Sequence, residues 1–218
     1  MPSVPRPETL GPPWPDLRDR LADTAPPADP TDVVMPPGSQ LWPDEVRERL
    51  AGALIPAGVL VPVIARPGDA TTLLLTERSA ELKHHAGQIS FPGGRMEADD
   101  PDIVATALRE THEEVGIHSD FVSILGYLDP MPTISGYAIT PVIGQVDAAA
   151  ELVLDRSEVA STFEVPLEWL LDPSNRSIGE RFVRGRSMRL IEFHYGGHRI
   201  WGATAFILLE FLKLIEKQ

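Results

Sequence analysis

Three carboxylates recur at one-turn spacing in the run Arg109-Glu110-Thr111-His112-Glu113-Glu114-Val115-Gly116-Ile117. On a helix turning about 100° per residue, Glu110, Glu113 and Glu114 fall within an arc of roughly 100° on one face. Like charges at these spacings repel, so the cluster calls for a counter-charge. Arg109 stands at ion-pair spacing from Glu113, but Glu110 and Glu114 have no Lys or Arg four residues away. A hard divalent cation, Mg²⁺ or Mn²⁺, is the partner that such oxygen donors suit. A cation held there would lower the pKa of bound water, so that a nucleophile exists at neutral pH. Glu110 and Glu114 are the expected direct ligands, with Glu113 joining through water or a second ion, and Arg109 is read as an orienting partner for a helix carboxylate. A solvated acidic face is the ordinary reading of a charge run. The missing basic partners and the Gly93-Gly94 turn upstream argue against it here.

The helix that must carry these residues is legible from its ends. Asp99 or Asp100 suits the N-cap, Pro101 the first helical position, and Gly116 the stop. Val104, Leu108, Thr111 and Val115 form a mostly apolar stripe. It is centred roughly 140° from the carboxylates, so one face is expected to pack and the other to bind.

Around this helix the pattern alternates. Residues 57–65 and 71–78 read as strands about the turn Pro67-Gly68-Asp69, and 89–91 as a short strand entering the glycine turn. Residues 121–128, 137–146 and 159–165 read as further strands, followed by a helix at 167–171. A hairpin at 187–195 and 198–201 turns on Gly196-Gly197, and a helix at 204–215 ends the pattern. A mixed sheet between helices follows, an α/β fold.

The string Gly94…Arg109-Glu110-x-x-Glu113-Glu114-x-Gly116-Ile117 resembles the Nudix box, the signature of Mg²⁺-dependent hydrolases that cut a diphosphate linked to another group. One position departs from it. Asp100 stands where the box has a Glu, and one extra residue separates it from Arg109. Upstream, Leu73-Leu74-Leu75-Thr76-Glu77-Arg78-Ser79-x-x-Leu82-x-x-His85-Ala86-Gly87-Gln88-Ile89-Ser90-Phe91-Pro92-Gly93-Gly94 is similar to the branch that hydrolyses coenzyme A, as is Trp201-Gly202-Ala203-Thr204-Ala205. The resemblance covers residues 50 to 215 and implies a Nudix-type α-β-α sandwich. It also implies cleavage of the diphosphate of coenzyme A or a derivative to 3′,5′-ADP and 4′-phosphopantetheine. A broader nucleoside-diphosphate hydrolase, or a ligand sensor that keeps the fold without turnover, stays open beside it.

Further residues fill out the expected site. Gly93 and Gly94 would let the backbone approach phosphates. Arg78 is read either as a phosphate ligand or as a surface partner of Glu77 or Glu81, and Gln88 as a substrate contact. Of Asp155, Glu158 and Glu164, Glu158 is the choice for a general base. Arg181, Arg184, Arg186 and Arg189 form a basic cluster, better read as solvated hairpin arginines than as a grip on a 3′-phosphate. His84 and His85 lack a third ligand at zinc spacing.

Composition bounds the rest. A chain of 218 residues with 43% apolar content can bury a single core. More than half of its 22 prolines lie in residues 1–43, read as a Pro-rich arm anchored by Trp14, Leu17, Leu21 and Trp42, with a short helix within 15–21 and another within 43–52. Residues 44–218 form the expected catalytic domain. A net charge of −13 opposes nucleic-acid or anionic-membrane binding, leaving a small diphosphate as the expected partner. The absence of cysteine fits a reducing compartment, and residues 1–30 have no apolar signal core, so a cytoplasmic monomer or homodimer is expected.

Overall fold

The structure, a computed structural model, describes residues 17–36, 38–183 and 186–216, without the side chains of 181–183 and 186–189. In chain order the elements are α1 (Leu17–Leu21), α2 (Asp44–Leu50), β1 (Ile55–Ile64), β2 (Thr72–Arg78), β3 (Ile89–Ser90), β4 (Gly93–Arg95) and α3 (Ile103–Val115). There follow β5 (Val122–Tyr127), β6 (Met131–Pro132), β7 (Tyr137–Val146), β8 (Val159–Pro166), α4 (Leu167–Leu171), β9 (Arg176–Val183), β10 (Arg186–Tyr195), β11 (His198–Trp201) and α5 (Gly202–Glu216).

The main sheet is mixed and eight-stranded, running β3-β2-β1-β7-β5, with β4 added to β1, β6 to β7 and β8 to β2. The β1–β7 pair is parallel over its full length, Ile55↔Tyr137 to Ile64↔Val146. Near-continuous apolar sequence explains this placement: Val59 to Ile64 is buried on both faces, as a central strand must be. β1 and β2 pair only at Val63↔Leu73 and Ile64↔Thr72, then diverge. Into that fork run β3, paired with β2 at Thr76↔Ser90, and β4, paired with β1 at Gly58↔Gly94. The Pro92 carbonyl accepts from Leu60 N–H at 2.9 Å, so the step between the two short strands is pinned inside the fork.

One face of the sheet is covered by α3, which contributes Ala107 and Val115 to a cluster with Leu60, Leu74, Val142 and Val146. Contact is close because Gly58 has no side chain: a Cβ there would lie 2.6 Å from the Ile103 carbonyl oxygen. The other face carries the larger core, with Leu73, Leu75, Ile143, Phe193, Leu208 and Phe211 fully buried. Leu17 and Leu21 belong to this core, and Trp42 packs on Val46 and Leu50 of α2. Trp14 lies outside the described residues. β9, β10 and β11 form a separate antiparallel sheet on this side. Among the described residues, no helix is long and apolar enough to cross a membrane.

The expected strands and helices form; the short strands β4 and β6 add to them, and two larger differences stand out. β9 is an additional strand, paired along β10 from Arg186↔Val183 to Phe193↔Arg176. α3 begins later than its sequence signals suggest. Its N-cap is Asp102, whose side chain accepts from Ala105 N–H at 2.8 Å, whereas the Asp100 carboxylate is committed to Glu97 N–H, Thr106 and Arg109. Gly116 ends the helix in the left-handed region, at φ 78°.

Candidate active site

The N-terminal glycine of β4 and the last turns of α3 meet at the fork. Gly93 has φ 153°, and a Cβ on it would fall 2.4 Å from the Gly58 carbonyl oxygen. Its N–H donates to Glu114 Oε2 at 3.2 Å. A Cβ on Gly94 would stand 2.5 Å from the Glu110 carboxyl carbon. The bare faces of both glycines are therefore turned to protein atoms. They admit β1 on one side and the Glu110 carboxylate on the other.

Glu114 is 3% exposed, so it does not share the solvent-facing side expected of the carboxylates. α3 is rotated so that Ile103, Ala107, Thr111, Glu114 and Val115 are buried together. Glu110 is half-buried and Glu113 exposed. Burial pushes the Glu114 carboxyl up to about 7; Arg78 and the Gly93 N–H oppose the rise, while Glu110 and Glu158 add to it. Burial likewise raises Glu110, opposed by Arg109 and reinforced by Glu113 and Glu158.

Arg109 is the hub of the exposed side. Its Nε and Nη2 each donate to the Asp100 carboxylate at 2.9 Å, and Nη2 also reaches the Arg95 carbonyl at 3.1 Å. Nη1 donates to Glu110 at 2.9 Å and to Glu113 at 3.0 Å. The Arg109 fork holds Asp100 well below the usual carboxylate range. The extra residue in the loop is thus accommodated: Asp100 ends up where it can clamp Arg109, and α3 starts after it.

Arg78 pairs with Glu114 at 3.5 Å, not with Glu77 or Glu81. Glu77 instead accepts from Ser161. Local spacing carries no sign of the Arg78–Glu114 contact, because the two residues are 36 positions apart. Of the three acidic residues on or before β8, Asp155 ties its own turn through Ser157, and Glu164 is bound bidentately by Arg66 at 2.6 and 2.7 Å. The Glu158 charge is near enough to raise both Glu110 and Glu114. Its carbonyl accepts from Ser79 N–H at 2.7 Å. Gln88 sits at the far end of the 79–88 loop, its side-chain oxygen 3.0 Å from His85 Nδ1. The side chains of Arg181, Arg184, Arg186 and Arg189 lie outside the described residues.

Glu110, Glu113 and Glu114 offer carboxylate oxygens, the donor type a hard cation takes, and Glu110 feels the negative charge of Glu113, as Glu114 does that of Glu110. Among the described residues, no group of three or more His, Cys, Asp or Glu side chains already stands ready around one point. Glu110 and Glu113 turn to Arg109, and Glu114 to Gly93 and Arg78, so binding an ion requires these side chains to reorient.

Known proteins show what the chain is similar to. Residues 55–184 match the NUDIX domain. The chain is 42% identical over 160 residues to the uncharacterized Nudix hydrolase NudL of Photorhabdus laumondii, covering 73% of this chain and 84% of that one. NudL of Yersinia pestis is 42% identical over 152 residues, covering 70% and 75%. Among solved structures, the MutT protein from Methanosarcina mazei is 17% identical with a TM-score of 0.49, covering 78% of this chain and 99% of that one. A domain match over more than half of the chain, together with relatives of this identity, shows that the chain belongs to the Nudix family and is a Nudix hydrolase.

Proposed function

We propose that this Nudix hydrolase cleaves the diphosphate of coenzyme A or a derivative, releasing 3′-phosphoadenosine 5′-phosphate and 4′-phosphopantetheine. The observation that supports this substrate is the placement of residues 79–88. Arg78 N–H donates to the Gln88 carbonyl at 3.0 Å, Gly87 N–H to the Arg78 carbonyl at 3.1 Å, and Ser79 N–H to the Glu158 carbonyl at 2.7 Å. The segment that resembles the coenzyme A branch is thereby tied at both ends to the strand end that faces the carboxylates.

Nudix hydrolases generally use divalent metal ions such as Mg²⁺ or Mn²⁺. Glu110 and Glu114 would hold the ion, with Glu113 joining through water or a second ion. When bound, it supplies charge neutralisation of the diphosphate and acidification of a water. Arg109 keeps Glu110 and Glu113 on the correct side of α3, and Asp100 keeps Arg109 in place. Glu158 takes the proton of the attacking water, being the carboxylate that faces the site from outside the helix. Arg78 and Gln88 contact the substrate, while Gly93 and Gly94 keep Glu114 and Glu110 where a diphosphate can reach them.

The test is mass-resolved product analysis with coenzyme A, ADP-ribose, NADH and an 8-oxo nucleotide, each with Mg²⁺, Mn²⁺ and EDTA. Metal-dependent release of 4′-phosphopantetheine faster than any other cleavage is expected. Faster turnover of another diphosphate would discard the coenzyme A assignment and keep the hydrolase chemistry.

A further inference from the structure

The β2–β8 register shifts between Glu77 and Arg78. Such a bulge re-aims the side chain beside it. Arg78 points across the fork at Glu114, with Nη1 3.5 Å from Oε1. This is a long contact beside the four that Arg109 makes to carboxylates at 2.9 to 3.0 Å. The Nε of Arg78 is buried without a hydrogen-bond partner among the described residues. The guanidinium is thus under-bonded, with a single weak ion pair where a planar fork can make two.

The other partner is equally specific. Glu114 Oε2 accepts the Gly93 N–H at 3.2 Å, which leaves Oε1 as the oxygen turned to a cation. A metal ion that took Oε1 would displace Arg78 from that atom.

We propose that Arg78 is the resting counter-ion of Glu114 and yields Oε1 to a divalent cation, and that the displaced guanidinium then grips a phosphate of the substrate. This rests on the metal-site reading of Glu114 given above. Two positive charges at one carboxylate oxygen repel, so Arg78 leaves as the ion arrives. Its free Nε and Nη edge then suits two phosphate oxygens at once. Metal binding precedes the productive grip on substrate, and the same arginine that keeps the buried carboxylate paired at rest serves the diphosphate during turnover.

The test is Mn²⁺ binding to metal-stripped protein at pH 8.5 without substrate, read by electron paramagnetic resonance, for wild type, Arg78→Gln, Arg78→Lys and Glu114→Gln. Removing the competing charge should tighten Mn²⁺ binding in Arg78→Gln by about three- to tenfold. Arg78→Lys should stay near wild type, and KM for the diphosphate should rise in Arg78→Gln, opposite to the metal affinity. Unchanged or weaker Mn²⁺ binding in Arg78→Gln overturns the exchange, while loss of binding in Glu114→Gln would still uphold the metal site. Wild-type affinity in Glu114→Gln overturns both. A second measurement needs no charge-removing variant: the Arg78 Nε–H resonance of wild type, assigned by its absence in Arg78→Lys, should shift when Mg²⁺ alone is added. A resonance that does not move overturns the proposal.

Discussion

Glu110 lies against the bare Cα of Gly94. A Cβ on that glycine would come within 2.6 Å of both carboxylate oxygens, so β4 and α3 approach as closely as they do because the side chain is absent. Gly94→Ala should displace Glu110 while the rest of α3, capped independently by Asp102 and Gly116, stays folded. A shift of about 1 Å in a metal-holding carboxylate should lower kcat/KM by about a hundredfold. Steady-state kinetics alongside far-UV circular dichroism checks this; near-normal turnover would mean that Glu110 is not a ligand.

Glu114 joins function to pH. Its carboxyl is pushed from an ordinary 4.5 up to about 7 by burial. A raised carboxyl pKa contributes stability in full below the ordinary value, and that contribution is lost as pH rises through the folded one. The metal-free protein should therefore lose about 1–3 kcal/mol from this group between pH 4.5 and 7. Glu114→Gln should remove that slope in urea denaturation curves and abolish most activity. A slope unchanged by the substitution would separate Glu114 from the pH effect.

The same group sets the pH dependence of metal binding. A ligand must be ionised to hold the cation, so affinity for Mg²⁺ should climb with pH and level off above about 7. Calorimetric titration across pH 5.5 to 8.5 should record proton release on binding at the low end. Affinity independent of pH over that range would contradict Glu114 as a ligand.

Arg109→Ala leaves Asp100, Glu110 and Glu113 without their shared partner. The Asp100 side chain is 7% exposed and Glu110 15%, against 58% for Glu113, so only the Glu113 pair is largely screened by solvent, and a loss of about 1–2 kcal/mol is expected. Arg109→Lys should recover only part of this, because an ammonium cannot bridge both Asp100 oxygens. Denaturant midpoints for the two variants decide it.

Glu158→Gln tests the proton acceptor. It should lower kcat by about a hundredfold while metal affinity and the thermal midpoint stay unchanged, because the side chain is exposed and is not needed to hold the ion. A kcat near that of the wild type would assign the proton to another group.

Local chemistry decided much of this protein in advance. Gly116 ends α3 because the left-handed turn there suits glycine, and the apolar run Val59 to Ile64 dictates a central strand. The helix carboxylates were readable for the same reason: their spacing is a property of one helix. β9 was not readable, since its polar, glycine-containing sequence is a strand only by pairing with β10. There Gly179 leaves room for the buried Glu192, whose carboxyl carbon would stand 2.4 Å from any Cβ.

Tertiary structure alone decided which carboxylates are buried and what faces them. The apolar stripe of α3 pointed Glu114 outward, yet the fork between β1 and β2 draws it inward to Gly93 N–H and Arg78. Asp100 looked like a helix cap, but Arg109 claims its carboxylate, and the cap passes to Asp102. Ser157 pairs with Asp155, and Arg66 with Glu164, a contact that local spacing did not announce. These assignments hinge on contacts between residues far apart in sequence. Periodicity reports which way a side chain points from its own helix or strand, while its charge partner and its burial are set by whichever other strand the fold brings across from it.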